Sequence, residues 1–189
     1  MGEIAERYRR RAEAFELKVA AVRPEQWGNQ SPCEKWSARD VLDHIVAMNG
    51  YMLMPVGRTL AAEADALKSF QAARAAVEAV LDDPELAGQE CDTPAGWMTV
   101  EGQIDQVVSD DLVLHGWDLA RATGQDEAMD PVDVERMWAS NSAIPADVIA
   151  MYRTPNAFGP GVEVFGPEVV VPEDAPLQDR LLGFIGRKP

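Results

Sequence analysis

Residues 100–123, VEGQIDQVVSDDLVLHGWDLARAT, place Ile104, Val107, Val108, Leu112, Leu119 and Ala122 three or four positions apart on one stripe. The spacing predicts a long amphipathic helix. Thr99 stands in front of it as a capping hydroxyl, and Gly124 follows it where a helix-ending glycine belongs. Two polar residues, Asp111 and His115, share the apolar stripe. At an i, i+4 separation their Cβ atoms lie about 5–6 Å apart, close enough for a carboxylate oxygen and an imidazole nitrogen to share one cation. Burying an aspartate on such a stripe costs free energy unless it is paired, hydrogen-bonded or metal-bound.

Three more segments read at helical period. Residues 3–22 align Ile4, Tyr8, Ala12, Phe15, Val19 and Val22. Residues 38–49 follow Ser37, a natural N-cap, with Asp40 in the first turn and Val41, His44, Ile45 and Met48 on one face. Gly50 and Pro55 mark the expected end of this helix. Residues 60–81 carry Leu67, Phe70, Val77, Val80 and Leu81, and Asp82, Asp83 and Pro84 stop them. The stretch from there to Thr99 is longer than the ~2–8 residues usual between bundle helices, so a loop that covers something is expected. A weaker helix is expected over 131–151, broken at Pro145. Beyond it the chain is rich in glycine and proline. Apolar runs at 162–165 and 169–171 suit either a small hairpin or extended chain, and a last short helix falls at 177–185. The fold expected is all-α: a four-helix bundle within residues 1–155, a short extra helix, and an irregular tail, 156–189, packed on the bundle.

Composition narrows the function. The 189 residues carry 32 acidic and 17 basic side chains, a formal charge of −15, which disfavours nucleic acid and anionic membrane surfaces as partners. With 47% hydrophobic residues the chain can bury a core. Two cysteines, Cys33 and Cys91, are too few for a disulfide framework and suit free thiols in a reducing compartment. The charged N-terminus lacks the apolar core of a signal peptide, so a cytoplasmic location is expected.

The chain has two histidines, His44 and His115, and both fall on inward stripes. His44 can supply a third ligand to a cation held by Asp111 and His115, and three such ligands leave positions open for water or substrate. The same pattern suits core histidines with one hydrogen bond each, Asp111 satisfying His115 within the helix. Pattern alone leaves both readings open. Trp36 and Trp117 read as packing residues, Ser37 as a cap rather than a nucleophile, and Asp110 as a solvated neighbour. Asp118 and Arg121 suit pairing along the helix or fixing the tail. Cys33 and Cys91 read as ordinary loop thiols, with a place at the edge of a metal pocket as the alternative.

The segments KWSARDVLDHIVAMN (35–49) and DDLVLHGWDLARATGQD (110–126), with the closing FGPEVVVPEDAPLQDRLLGFIGRKP, resemble the DinB-like metalloprotein superfamily. The likeness is to its actinobacterial branch, related to the N-terminal domain of mycothiol-dependent maleylpyruvate isomerase. The resemblance implies a DinB-like four-helix bundle whose metal triad falls on His44, Asp111 and His115. It implies a divalent ion, zinc or nickel, and a thiol cofactor such as mycothiol whose sulfur reaches the metal. The isomerase has a glutamate in the middle position, one methylene longer than Asp111, and a separate C-terminal domain that the short tail here does not replace. The function expected is a metal-dependent, thiol-cofactor S-transferase or isomerase acting on a small electrophile. The alternatives are a metal-dependent hydrolase or a non-catalytic metal-binding bundle. Relatives of this kind commonly pair, which makes a homodimer the expected assembly.

Overall fold

Capping chemistry sets the helix boundaries. In the computed structural model, which describes residues 2–93, 96–158 and 164–189, Ser37 and Asp40 form a reciprocal capping box. The Asp40 N–H donates to Ser37 Oγ at 3.3 Å, and the Ser37 N–H donates to the Asp40 carboxylate at 2.8 Å. Thr99 accepts from the Gly102 N–H, and Asp130 accepts from the Val132 N–H with Pro131 at the first helical position. Gly124 ends its helix in the left-handed conformation, φ 68°.

The helices α1 (Glu3–Ala21), α2 (Ala38–Leu53) and α3 (Ala66–Leu81) come first, followed by the single turn α4 (Pro84–Ala87). Two strands, β1 (Glu90–Thr93) and β2 (Gly96–Thr99), lead into α5 (Val100–Gln106) and α6 (Val108–Thr123). Then come α7 (Pro131–Ser142), α8 (Ala146–Tyr152) and α9 (Leu177–Phe184). The chain forms two compact units, Met1–Glu127 and Ala128–Pro189. Among the described residues no helix is long and apolar enough to cross a membrane.

The first unit is the bundle. Helices α3 and α6 each pack against both α1 and α2, which puts α1 and α2 on its diagonal. Their apolar stripes meet in a core that includes Phe15, Leu42, Ile45, Leu53, Phe70, Ile104, Leu112 and Leu119, all 2% exposed or less. Phe15 and Phe70 lie 4.9 Å apart, centroid to centroid, in a tilted aromatic pair. Several polar groups inside are matched. The Tyr8 hydroxyl donates to Asn49 Oδ1 at 2.6 Å, and Asn49 Nδ2 donates to the Ile45 carbonyl, so one amide ties α1 to α2. Arg7 grips Asp105 through two hydrogen bonds of 2.8 and 2.9 Å. Buried Arg11 reaches Ser109 and Asp110. Asp110 is therefore not the solvated neighbour expected of it, because α1 presents an arginine to that face of α6.

Several boundaries differ from the sequence reading. Helix α2 runs through Gly50 to Leu53, and Leu60 packs where a side chain at position 50 would stand, 3.3 Å from an added Cβ. Leu60 is thus a packing residue of the connection rather than the start of α3, whose N-cap is Asp65. The helix expected over 100–123 is interrupted at Val107, φ −106° and ψ −77°. The expected loop before it contains an antiparallel hairpin that pairs Cys91 with Met98 and Asp92 with Trp97. No periodic pattern marked those four-residue strands. The helix expected over 131–151 is broken as anticipated, and Pro145 caps its second half.

In the second unit α7 packs on α9. Arg180 lies 4.7 Å over the Trp138 ring, and Arg153 pairs with Glu168. Of the two apolar runs in the tail, 169–171 is extended chain beside α9: the Val169 N–H donates to the Gly183 carbonyl at 2.9 Å. A Cβ on Gly183 would lie 2.5 Å from the Val169 carbonyl oxygen, which explains the glycine there. The run 162–165 begins outside the described residues. The boundary expected between residues 155 and 156 lies inside this unit, which runs from Ala128 to Pro189 as one compact body.

Two substitutions measure this architecture. Phe15→Ala should cost about 3–5 kcal/mol of stability, by loss of buried area and the cavity left beside Phe70. Ser37→Ala should cost about 1 kcal/mol through the lost capping bond. Urea denaturation followed by circular dichroism checks both, and equal losses for the two would contradict the assignment of core and cap.

Candidate metal centre

The packing of α2 on α6 sets His44 opposite Asp111 and His115. His44 Nε2 lies 3.6 Å from Asp111 Oδ2, and the two imidazole rings meet edge to face with centroids 4.8 Å apart. One donor atom from each of His44, Asp111 and His115 lies within 4.8 Å of the other two. A tetrahedral ion with bonds of about 2.0–2.1 Å holds its donors about 3.4 Å apart. The His44–Asp111 spacing of 3.6 Å is close to that value. Two imidazoles and a carboxylate form a donor set suited to zinc and other first-row divalent ions. The residues present fit such an ion.

Exposure differs across the three. The His44 and Asp111 side chains are 27% and 25% exposed, that of His115 only 9%. The rim is formed by Trp36, whose indole packs 4.7 Å from the His44 ring and 5.6 Å from the His115 ring. Trp36 is a packing residue, as expected, but what it packs against is the pair of histidines. Its loop is held by the Trp36 N–H donating to the Cys33 carbonyl and the Ser31 N–H donating to the Trp36 carbonyl.

Behind His115 stands Asp118, fully buried, with Oδ2 2.9 Å from His115 Nδ1. The Cys33 thiol donates to the same Oδ2 at 3.4 Å. Burial alone would push the His115 pKa down. The hydrogen bonds to Asp118 and Cys33, with the charges of Asp118 and Asp111, outweigh it and push the value up to about 10. Cys33, His115 and Asp118 also bring their donor atoms within 4.8 Å of one another, so two three-donor groups meet at His115.

Asp118, expected to pair along the helix or fix the tail, contacts His115 and Cys33. The signal was present in the spacing D-x-x-x-H-x-x-D (111–118), which puts both carboxylates on the histidine's side of one helix. Cys33 takes the pocket-edge alternative because its loop folds back onto α6. Cys91 does not: its thiol faces Gln103 Oε1 and the Met98 carbonyl, and burial pushes its pKa up. Trp117 is buried in the bundle with Arg121 stacked over it at 5.4 Å, and Arg121 also pairs with Glu127. Ser37 is a cap, as expected.

Comparison with known proteins identifies the family. The family model of the mycothiol maleylpyruvate isomerase N-terminal domain matches residues 8–120, a span that includes the bundle core and all three triad residues. Two uncharacterized proteins of Mycobacterium tuberculosis, from strains CDC 1551 / Oshkosh and ATCC 25618 / H37Rv, are each 32% identical to this chain. The alignment covers 95% of this chain and 95% of each relative. No solved structure matches significantly. The chain belongs to the DinB-like family of the mycothiol maleylpyruvate isomerase N-terminal domain.

Proposed function

We propose that the protein holds one divalent ion, zinc or nickel, through His44, Asp111 and His115, and activates a low-molecular-weight thiol of the mycothiol type for attack on a small electrophile. The reaction class is S-transfer or isomerisation. The observation that carries this reading is the convergence of the three donors in a chain of this family. The ion, when bound, would supply a Lewis-acidic position at which a thiol loses its proton and is held as thiolate.

The chain's own residues divide the work. His44 and Asp111, each about one-quarter exposed, offer their donors where a small molecule can reach them. His115 supplies the third donor from the protected side. Trp36 packs on both imidazoles and restricts their rotation. The acidic chain disfavours polyanionic substrates and leaves small neutral or weakly anionic electrophiles. A hydrolase would need a carboxylate free to serve as base. Asp118 does not fill that role, because it is buried and engaged by His115 and Cys33.

Binding should be coupled to protons. A folded-state pKa near 10 for His115 means that the metal-free protein keeps this ring protonated at neutral pH. The stability this contributes is complete below the unfolded histidine value of about 6.5 and is lost as pH rises through about 10. A cation must displace one of those protons, so zinc binding at pH 7.5 should release about one proton and tighten as pH rises towards 10. Calorimetry in buffers of different ionisation enthalpy measures this number, and a value of zero would contradict the assignment of His115.

Elemental analysis tests the ligand set. His115→Ala should lose the ion while keeping the helical signature of the bundle, and full occupancy in that variant would sink the triad. Cobalt substitution tests the thiol. Added mycothiol, or a simple thiol analogue, should produce a thiolate-to-cobalt charge-transfer band in the near ultraviolet. Absence of that band, with no effect of thiol on metal affinity, would favour the hydrolase instead.

A further inference from the structure

Asp118 has no solvent exposure, so its charge is stable only where donors meet it. One of its oxygens faces His115 Nδ1 at 2.9 Å and Cys33 Sγ at 3.4 Å. An imidazole that binds a metal usually gives its other N–H to a carboxylate, a carbonyl or water, which sets the tautomer and raises the basicity of the ligating nitrogen. We propose that Asp118 is the positioning residue of the metal centre: it accepts the Nδ1 proton of His115 and leaves Nε2 as the nitrogen that ring offers to the cation. This rests on the assignment of His44, Asp111 and His115 as ligands.

The hydrogen bond from Cys33 gives Asp118 a second reach. Cys33 begins the turn whose carbonyl accepts from the Trp36 N–H, and Trp36 packs on both histidine rings. Asp118 therefore fixes His115 directly and, through the 33–36 turn, the indole that confines His44. The i, i+3 placement on α6 makes the contact local, so it forms with the helix itself. One competing arrangement uses the same atoms: a cation seated among Cys33, His115 and Asp118. That arrangement would take Nδ1 away from Asp118 and place the ion beside a carboxylate with no exposure. The donors of His44 and Asp111 stay accessible instead. Exposure favours the positioning role.

The test uses the full chain with zinc alone as the probe. Affinities of the wild type, Asp118→Asn, His44→Ala and Cys33→Ser are measured by competition with a chromophoric chelator. Nitrogen-detected NMR of the histidine rings of the zinc-loaded wild type reports which nitrogen is coordinated. Asp118→Asn, nearly isosteric, should bind zinc about 10–100-fold more weakly with an unchanged circular dichroism spectrum. His115 of the wild type should coordinate through Nε2 and keep a proton on Nδ1. Zinc binding that is lost in His44→Ala but unchanged in Asp118→Asn would overturn this proposal alone. Coordination through Nδ1 would overturn it without any variant, so a failure of Asp118→Asn to fold does not protect it. A cobalt charge-transfer band seen with no added thiol and lost in Cys33→Ser would overturn it too, in favour of the Cys33 arrangement. No zinc binding by the wild type would overturn the ligand assignment itself, and the proposal with it.

Discussion

A carboxylate without solvent sits behind the cluster of His44, Asp111 and His115, and the surrounding structure meets the demand it makes. Asp118 belongs to α6, the helix that packs against both α1 and α2. Removing a charged group from water costs several kcal/mol in practice, and hydrogen-bond donors must recover that cost. His115 is one such donor, and its proton is held so firmly that the ring stays charged well above the usual histidine range. Cys33 is another, brought in by the connection between α1 and α2. His115 and the turn that carries Cys33 and Trp36 thus meet around one oxygen.

The same helix is tied to α1 by a second set of charges. Arg7 holds Asp105 on α5, and Arg11 reaches Ser109 and Asp110 across the interruption at Val107. Their acidic partners lie within one or two turns of Asp111 in sequence, so register errors between α1 and α6 would move Asp111 as well as break the pairs. Apolar area supplies most of the bundle's stability, but it is tolerant of small sliding. Directional ion pairs are less tolerant, and here they fix the height of α6 against α1. The Tyr8–Asn49 bond does the same for α1 and α2, one turn beyond the residue after His44. A centre assembled from α2 and α6 needs both registers.

Helix positions and caps were legible because they are local. Periodicity at three and four residues, Ser37 with Asp40, Thr99, Gly124 and the break at Pro145 are each properties of a few adjacent residues, and each appears in the structure. The pairing of His115 with Asp111 on one face was legible for the same reason. Where the reading failed, the deciding partner was distant. Gly50 stays helical with Leu60 packed against it, Asp110 is covered because Arg11 faces it, and the hairpin of β1 and β2 has strands too short to show a period.

The sequence by itself determined that helices would form, where they would be capped, and that both histidines and one aspartate would lie on inward faces. A 3.6-residue period is a property of the chain before it folds. Which faces meet is not: that depends on side chains 41 to 99 positions apart, from Tyr8–Asn49 to Arg11–Asp110. Only the tertiary structure decided that Asp118, rather than solvent, holds His115, that Cys33 and not Cys91 reaches the centre, and that Trp36 packs on the histidines. The Cys33 and Trp36 contacts join the helices to a loop that has no period of its own, so the local chain carries no record of them.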